Sequence, residues 1–211
     1  MENMTLMSIL KISFVIPILG VCSVVVLAYA MERFVAYLRI GRLDQGVAER
    51  IKQCLRQGQT KEAVQMCAKQ RNFISQAMEV ALNAAGSPRE EMDSIFSLYR
   101  MKLQGLLNKH LGIFGTLAFI APLLGLLGTV LGVIRAFWDL ALSGSGGPTI
   151  VAAGIAEALI TTAGGIAVAV VAAVLYNYFT TKQRNIVQQY DLFSQELAIL
   201  SYSGQDRGGR R

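Results

Sequence analysis

From Gly112 to Phe179 the chain runs through two long apolar stretches, separated by Ser143-Gly144-Ser145-Gly146-Gly147-Pro148. A third stretch, Ile12 to Met31, carries no charged residue. Each is at least as long as the ~20 residues that cross a bilayer as a helix. The pattern predicts an all-α integral membrane protein with transmembrane helices over 12–31, 112–142 and 149–179. Lys11 and Ala28-Tyr29-Ala30 give the first stretch some likeness to a cleaved signal peptide. Its apolar part is longer than a usual signal core, and two further spans follow, so a retained helix is expected.

Between residues 32 and 111 the apolar positions become periodic and interspersed with charge, as in a soluble helical segment. Helices are expected over Val47–Leu55, over Lys61–Ala68 with Thr60 as N-cap, and over Phe73–Ala85. Ser87-Pro88-Arg89-Glu90 reads as a capping box, with Ser87 at N-cap, Pro88 at N1 and Glu90 at N3. Periodicity continues through Met92, Ile95, Phe96, Tyr99 and Leu103, with no strong breaker before Gly112. One unbroken helix from there to Leu140 would hold about 50 residues and reach roughly 75 Å.

After the third span, Ile186, Tyr190, Phe193, Leu197 and Leu200 continue a helical seam over 180–202 that wants a partner helix. Residues 203–211 are Gly-rich and charged and are expected to be disordered. Residues 1–11 form a short N-terminal segment whose Met4, Met7 and Leu10 suit a membrane surface.

Composition agrees with the membrane reading: 53% of the 211 residues are hydrophobic and 16% charged, and mean hydropathy is +0.44. The net charge of +6 does not indicate nucleic acid, because no basic run is interleaved with aromatics. Its distribution sets topology instead. Arg33, Arg39, Arg42, Arg100, Lys102, Lys109, Lys182 and Arg184 flank the spans on one side, and the 143–148 turn has no Lys or Arg. The positive-inside rule places 32–111 and the C-terminal segment in the cytoplasm, with the N-terminus and the turn outside. Cys22, Cys54 and Cys67 lack metal-site spacing and read as free thiols, and His110, the single histidine, reads as interfacial.

Within the spans, candidate chemistry is sparse. Glu157 lies about eight residues inside its helix, roughly 12 Å by helical rise, and an ionisable group at that depth is functional by default. Thr161 is about 40° around the helix from Glu157 and Thr162 about 140°, so the two hydroxyls cannot both serve the Glu157 face and Thr162 is expected to look to a different neighbour. The plain alternative for either is a bond back to the carbonyl four residues earlier. Gly125, Gly128, Thr129 and Gly132 share one face of the second span, where small residues admit a second backbone. Arg135, Trp138 and Asp139 follow near its outer end, with Arg135 and Asp139 spaced for an i,i+4 pair.

The sequence has no P-loop, HExxH or GxSxG, so neither an enzyme nor a cofactor site is expected. One Glu and a few threonines make an incomplete proton relay. If ions pass, a partner protein supplies the missing titrating group.

Ala121-Pro122-Leu123-Leu124-Gly125-Leu126-Leu127-Gly128-Thr129-Val130-Leu131-Gly132-Val133-Ile134, then Gly154-Ile155-Ala156-Glu157-Ala158-Leu159-Ile160-Thr161-Thr162-Ala163 and Tyr176-Asn177, closely resemble the ExbB/TolQ branch of the MotA/TolQ/ExbB proton-channel family. The resemblance is specific over Gly112–Phe179. It implies a stator subunit of a bacterial inner-membrane motor: a homopentamer around an ExbD/TolR-like single-span dimer that carries a transmembrane Asp. The motor would drive a TonB/TolA-like energy transducer. By motif position the resemblance selects Thr129 and Thr162 as pore-lining threonines, Thr162 in preference to Thr161, and matches Glu157 to the family glutamate. Val171 stands where the family often has Pro, which implies a straighter third helix. The competing expectation is a membrane scaffold, in which the same residues only pack helices.

Overall fold

The structure is a computed structural model that describes residues 14–40, 45–70, 72–84, 88–143 and 148–208. The N-terminal segment, the first residues of the first span, Ser87 and most of the 143–148 turn lie outside the described residues. Helices form α1 (Val15–Ile40), α2 (Gln45–Arg56), α3 (Thr60–Lys69), α4 (Phe73–Asn83), α5 (Arg89–Asn108), α6 (Leu111–Ser143) and α7 (Pro148–Gly208). No strand occurs among the described residues. Stretches within α1, α6 and α7 are long and apolar enough to cross a membrane. The chain divides into two compact units, Met1–Glu32 with His110–Phe179, and Arg33–Lys109 with Thr180–Arg211.

In the first unit α1 packs through Val15 and Leu19 against Ala121 of α6 and Ala169 of α7. Leu19 also lies 3.6 Å from where a Cβ on Gly164 would stand. Toward the other end, the Phe114 and Phe179 rings meet at 5.7 Å. Large apolar side chains on all three helices point outward, among them Val24, Leu27, Phe119, Leu126, Leu159 and Val174. Such a surface is stable where lipid covers it. α7 passes through Val171 without interruption.

The second unit is built from amphipathic helices packed in sequence order, α2 on α3, α3 on α4 and α4 on α5. Each buries residues at helical spacing: Ile51, Cys54 and Leu55 from α2; Ala63 and Cys67 from α3; Ile74, Ala77, Met78, Ala81 and Leu82 from α4; Met92, Phe96, Leu103 and Leu107 from α5. The α7 seam buries Ile186, Tyr190, Phe193 and Leu197, with Leu200 half-buried. Tyr190 OH donates to Phe96 O at 2.9 Å, and Arg100 Nε donates to Asp191 Oδ1 at 2.7 Å. Lys52 bridges Glu196 and Glu49.

Helix boundaries depart from expectation in four places. α5 and α6 are separate helices, because Lys109 turns extended with ψ 128° and His110 takes a left-handed φ of 62°. The 75 Å rod is therefore broken. The side chains that receive the end of α5 lie far away in sequence: Arg33 Nη1 donates to Leu106 O at 3.1 Å and Tyr37 OH to Leu107 O at 3.2 Å. They satisfy carbonyls that have no intrahelical partner.

At the other two starts, α3 begins on Thr60 with Gln59 at the N-cap position, and α5 begins on Arg89 with Pro88 at its N-cap position; neither cap makes a side-chain bond. The side-chain cap that does form was not anticipated: Asn72 Oδ1 accepts from the Ser75 N–H at 2.7 Å and starts α4. Finally, α7 continues to Gly208, into the stretch expected to be unstructured. Each added residue gains a backbone bond once the helix is nucleated, which offsets the weak propensities of Ser203 and Gly204.

Burial and the charge of Glu79 push the Cys67 thiol from its ordinary 9.0 to about 11, and the residue is 0% exposed. Between those pH values the folded chain holds a proton that the unfolded chain releases, so stability falls as pH rises above about 9. In a Cys22→Ala, Cys54→Ala background, we expect Cys67 to resist iodoacetamide at pH 8 until denaturant is added. Mass spectrometry after pulse alkylation reads this, and prompt labelling of the folded chain would contradict the burial.

Candidate functional site

α6 and α7 approach so closely that even a methyl group at Gly128, Gly154 or Gly165 would clash with the other helix. A Cβ on Gly165 would stand 2.6 Å from Ala121 O and 2.9 Å from Gly125 Cα. One on Gly125 would stand 3.0 Å from Thr162 Cα and 3.1 Å from Thr161 O. A Cβ on Gly128 would lie 2.6 Å from Thr161 Cβ, one on Gly132 3.0 Å from Ala158 Cβ, and one on Gly154 3.2 Å from Ala136 Cα. Ala121, Gly125, Gly128, Gly132 and Ala136 thus face Gly165, Thr161–Thr162, Ala158 and Gly154 in antiparallel order. Close backbone contact of this kind substitutes for the hydrophobic drive that is missing between helices in lipid.

The α6 half of this seam was expected from its glycines. The α7 half was missed, although Gly154, Ala158, Thr161, Thr162 and Gly165 recur at three- and four-residue steps and carry the same small-residue signal.

Hydroxyls occupy the middle of the seam. Thr162 Oγ1 donates to Gly125 O at 3.1 Å. Thr161, 1% exposed, donates to Ala158 O at 2.7 Å and stands 3.4 Å from the same Gly125 O. The adjacent hydroxyls therefore converge on one carbonyl of the neighbouring helix, and neither reaches Glu157. Thr129 is half-buried and donates to Leu126 O at 2.7 Å. Where threonines bond back along their own helix, the carbonyl is three residues earlier, not four.

Glu157 is half-buried on α7 beside Ala158, with Arg135 and Asp139 of α6 the charges that act on it. The Gly132–Ala158 and Ala136–Gly154 contacts bring Arg135 and Glu157 to one level of the helix pair. The structure thus gathers Gly125, Thr161 and Thr162 at one point, with Glu157 a turn away along α7 toward Pro148. Among the described residues no group of three or more metal-ligating side chains comes together. Near the other end of the unit, His110 Nδ1 lies 3.1 Å from Glu32 Oε2, and its ring meets Tyr29 at 4.9 Å.

These features define a polytopic helical membrane protein whose second and third membrane-length helices form one polar-centred, small-residue pair. A model of the MotA/TolQ/ExbB proton channel family matches residues 49–192, and the chain belongs to that family. It is 26% identical over 182 residues to a biopolymer transport protein ExbB homolog of Methanothermobacter thermautotrophicus, covering 86% of this chain and 63% of the relative. It is 40% identical over 96 residues to the Tol-Pal system protein TolQ of Haemophilus influenzae, covering 44% and 41%. The chain spans less than two thirds of the length of these curated relatives. The structure of C. jejuni MotAB has the same fold, with a TM-score of 0.70 at 18% identity over 94% of this chain and 80% of that one.

The seam makes a direct prediction. Gly128→Ala places a methyl into Thr161 and should cost about 1–3 kcal/mol, as overpacking does. Gly20→Ala, with no atom within 4 Å of the new Cβ, should be neutral or slightly stabilising. Thermal unfolding in detergent compares the two, and equal melting temperatures would show that the seam is not tight at Gly128.

Proposed function

We propose that this chain is the proton-conducting stator subunit of an ExbB–ExbD or TolQ–TolR type motor in the bacterial inner membrane. In this reading it forms a homopentamer around a single-span dimer that carries a transmembrane Asp. Residues 32–111 and the chain from 180 onward are cytoplasmic, while the N-terminus and the 143–148 turn are periplasmic. Protons pass down their gradient through that Asp, and the dimer's motion acts on a TonB/TolA-like transducer. One charge crossing 100 mV releases about 2.3 kcal/mol, so repeated protonation supplies work in steps.

Beyond family membership, the observation that carries the reading is Thr162: half-buried at the edge of the seam, its hydroxyl rests on the Gly125 carbonyl. In that position it can be offered to a carboxylate on a helix lying against the pair. Thr129 supplies a second polar position on α6, and Glu157 a hydrated entry for protons near the outer end. Gly125, Gly128 and Gly132 hold the two helices at the required spacing.

A second reading is favoured by a specific fact: Thr129 and Thr162 both donate to carbonyls of this chain. That suits a scaffold that packs helices and recruits partners without conducting ions. Thr162→Val separates the two. In liposomes holding the complex with its single-span partner, a pH-sensitive dye should report loss of partner-dependent proton flux, with the assembly intact by size exclusion. Flux at the original rate, or a complex that falls apart, favours the scaffold.

A further inference from the structure

Thr161 lies beside the threonine assigned to the pore and is almost wholly buried, at 1% exposure. A hydroxyl has one proton to donate. In this arrangement Thr161 gives its proton to Ala158 O at 2.7 Å, and Thr162 gives its own to Gly125 O at 3.1 Å. Yet Thr161 Oγ1 also stands 3.4 Å from Gly125 O, within a few tenths of an ångström of good hydrogen-bond geometry. One carbonyl thus has two donors in reach and uses the closer one.

We propose that Thr161 is a positioning residue that stands in for Thr162 on the Gly125 carbonyl. The proposal rests on the proton-channel reading. When the Thr162 hydroxyl turns toward the partner's carboxylate, its bond to the buried Gly125 is lost and that carbonyl keeps only its helical bond. Rotating the Thr161 O–H from Ala158 O to Gly125 O restores a donor there. The Ala158 carbonyl keeps its helical bond, so the exchange moves one hydroxyl proton about one C–O bond and breaks no covalent bond. α6 and α7 stay tied while Thr162 alternates between its two acceptors.

The close fit around Thr161 enforces this role. Its Cβ would lie 2.6 Å from a methyl on Gly128, so the notch at Gly128 holds the side chain where its oxygen faces both carbonyls.

The test uses the complex with its single-span partner in liposomes, reading dye-reported proton flux under a fixed gradient and assembly by size exclusion. Thr161→Val keeps the shape and removes the hydroxyl, and should lower flux about fivefold, the factor one ordinary hydrogen bond represents. Thr161→Ser keeps the hydroxyl and removes the methyl, and should conduct like the unaltered chain. Thr161→Ala should conduct as poorly as the Val variant. A merely structural role predicts the reverse, with Val harmless and Ser damaging.

Val at full flux, or Ser and Ala equal to one another, overturns the proposal. Should the Val variant fail to assemble, the Ser and Ala pair decides alone, because both leave a similar space and differ only in the hydroxyl. If Thr162→Val conducts normally the channel reading itself fails, and this inference with it. If Thr162→Val is silent and the Thr161 variants are indifferent, only the stand-in fails.

Discussion

The contact on which the first unit depends is the approach of two backbones at Gly125 and Gly165, with the Thr161 side chain seated on Gly128. In water, burying apolar area drives helices together at about 25 cal/mol per Å². In lipid that drive is absent, because the chains outside are as apolar as the side chains inside. What remains is dispersion, which fades within an ångström of optimal contact, together with hydrogen bonds of the Thr162–Gly125 kind. Both require backbones close enough to touch, and a Cβ on Gly165 would already stand 2.6 Å from Ala121 O. The glycines therefore fix both the distance and the register, since sliding one helix past the other would bring a side chain onto a glycine.

That register decides which polar groups meet. With Gly132 against Ala158 and Gly125 against Thr162, the hydroxyls are held at the middle of the pair and Glu157 nearer its Pro148 end. A threonine in the middle costs little, because its proton is satisfied locally at Ala158 O or Gly125 O. A carboxylate there would have to be paired or wetted. The placement of Glu157, half-buried and near Arg135 and Asp139, follows the same energetics.

The spans were legible because apolar length is a one-dimensional signal: nothing else in the chain resembles Ile12–Met31 or Gly112–Phe179. The buried faces of α4 and of the C-terminal part of α7 were equally plain from periodicity, as Ile74, Ala77 and Met78 or Ile186, Tyr190 and Phe193 illustrate. The break at Lys109–His110 was not legible. Its cause is tertiary: the carbonyls of Leu106 and Leu107 are received by Arg33 and Tyr37, some seventy positions away. No local window shows that a buried guanidinium, 2% exposed, will be waiting there. In the same way, the helical angles that set Thr161 and Thr162 apart do not reveal that one carbonyl on another helix lies within reach of both.

The convergence of two hydroxyls on Gly125 O also bears on why the proposed channel wall would carry threonine. A hydroxyl neither gains nor loses a proton at physiological pH, so it adds no charge to the membrane interior. It changes only which acceptor it favours. An ionised carboxylate competes better for that proton than a backbone carbonyl does, because charge-assisted bonds are roughly twice as strong as neutral ones. Once protonated, the carboxyl loses that advantage and the carbonyl recovers the hydroxyl. In the proposed pore, a threonine bonded to Gly125 O would therefore be biased by the charge state of a neighbouring acid without being titrated itself, with the Gly125 carbonyl 3.1 Å away as its alternative acceptor.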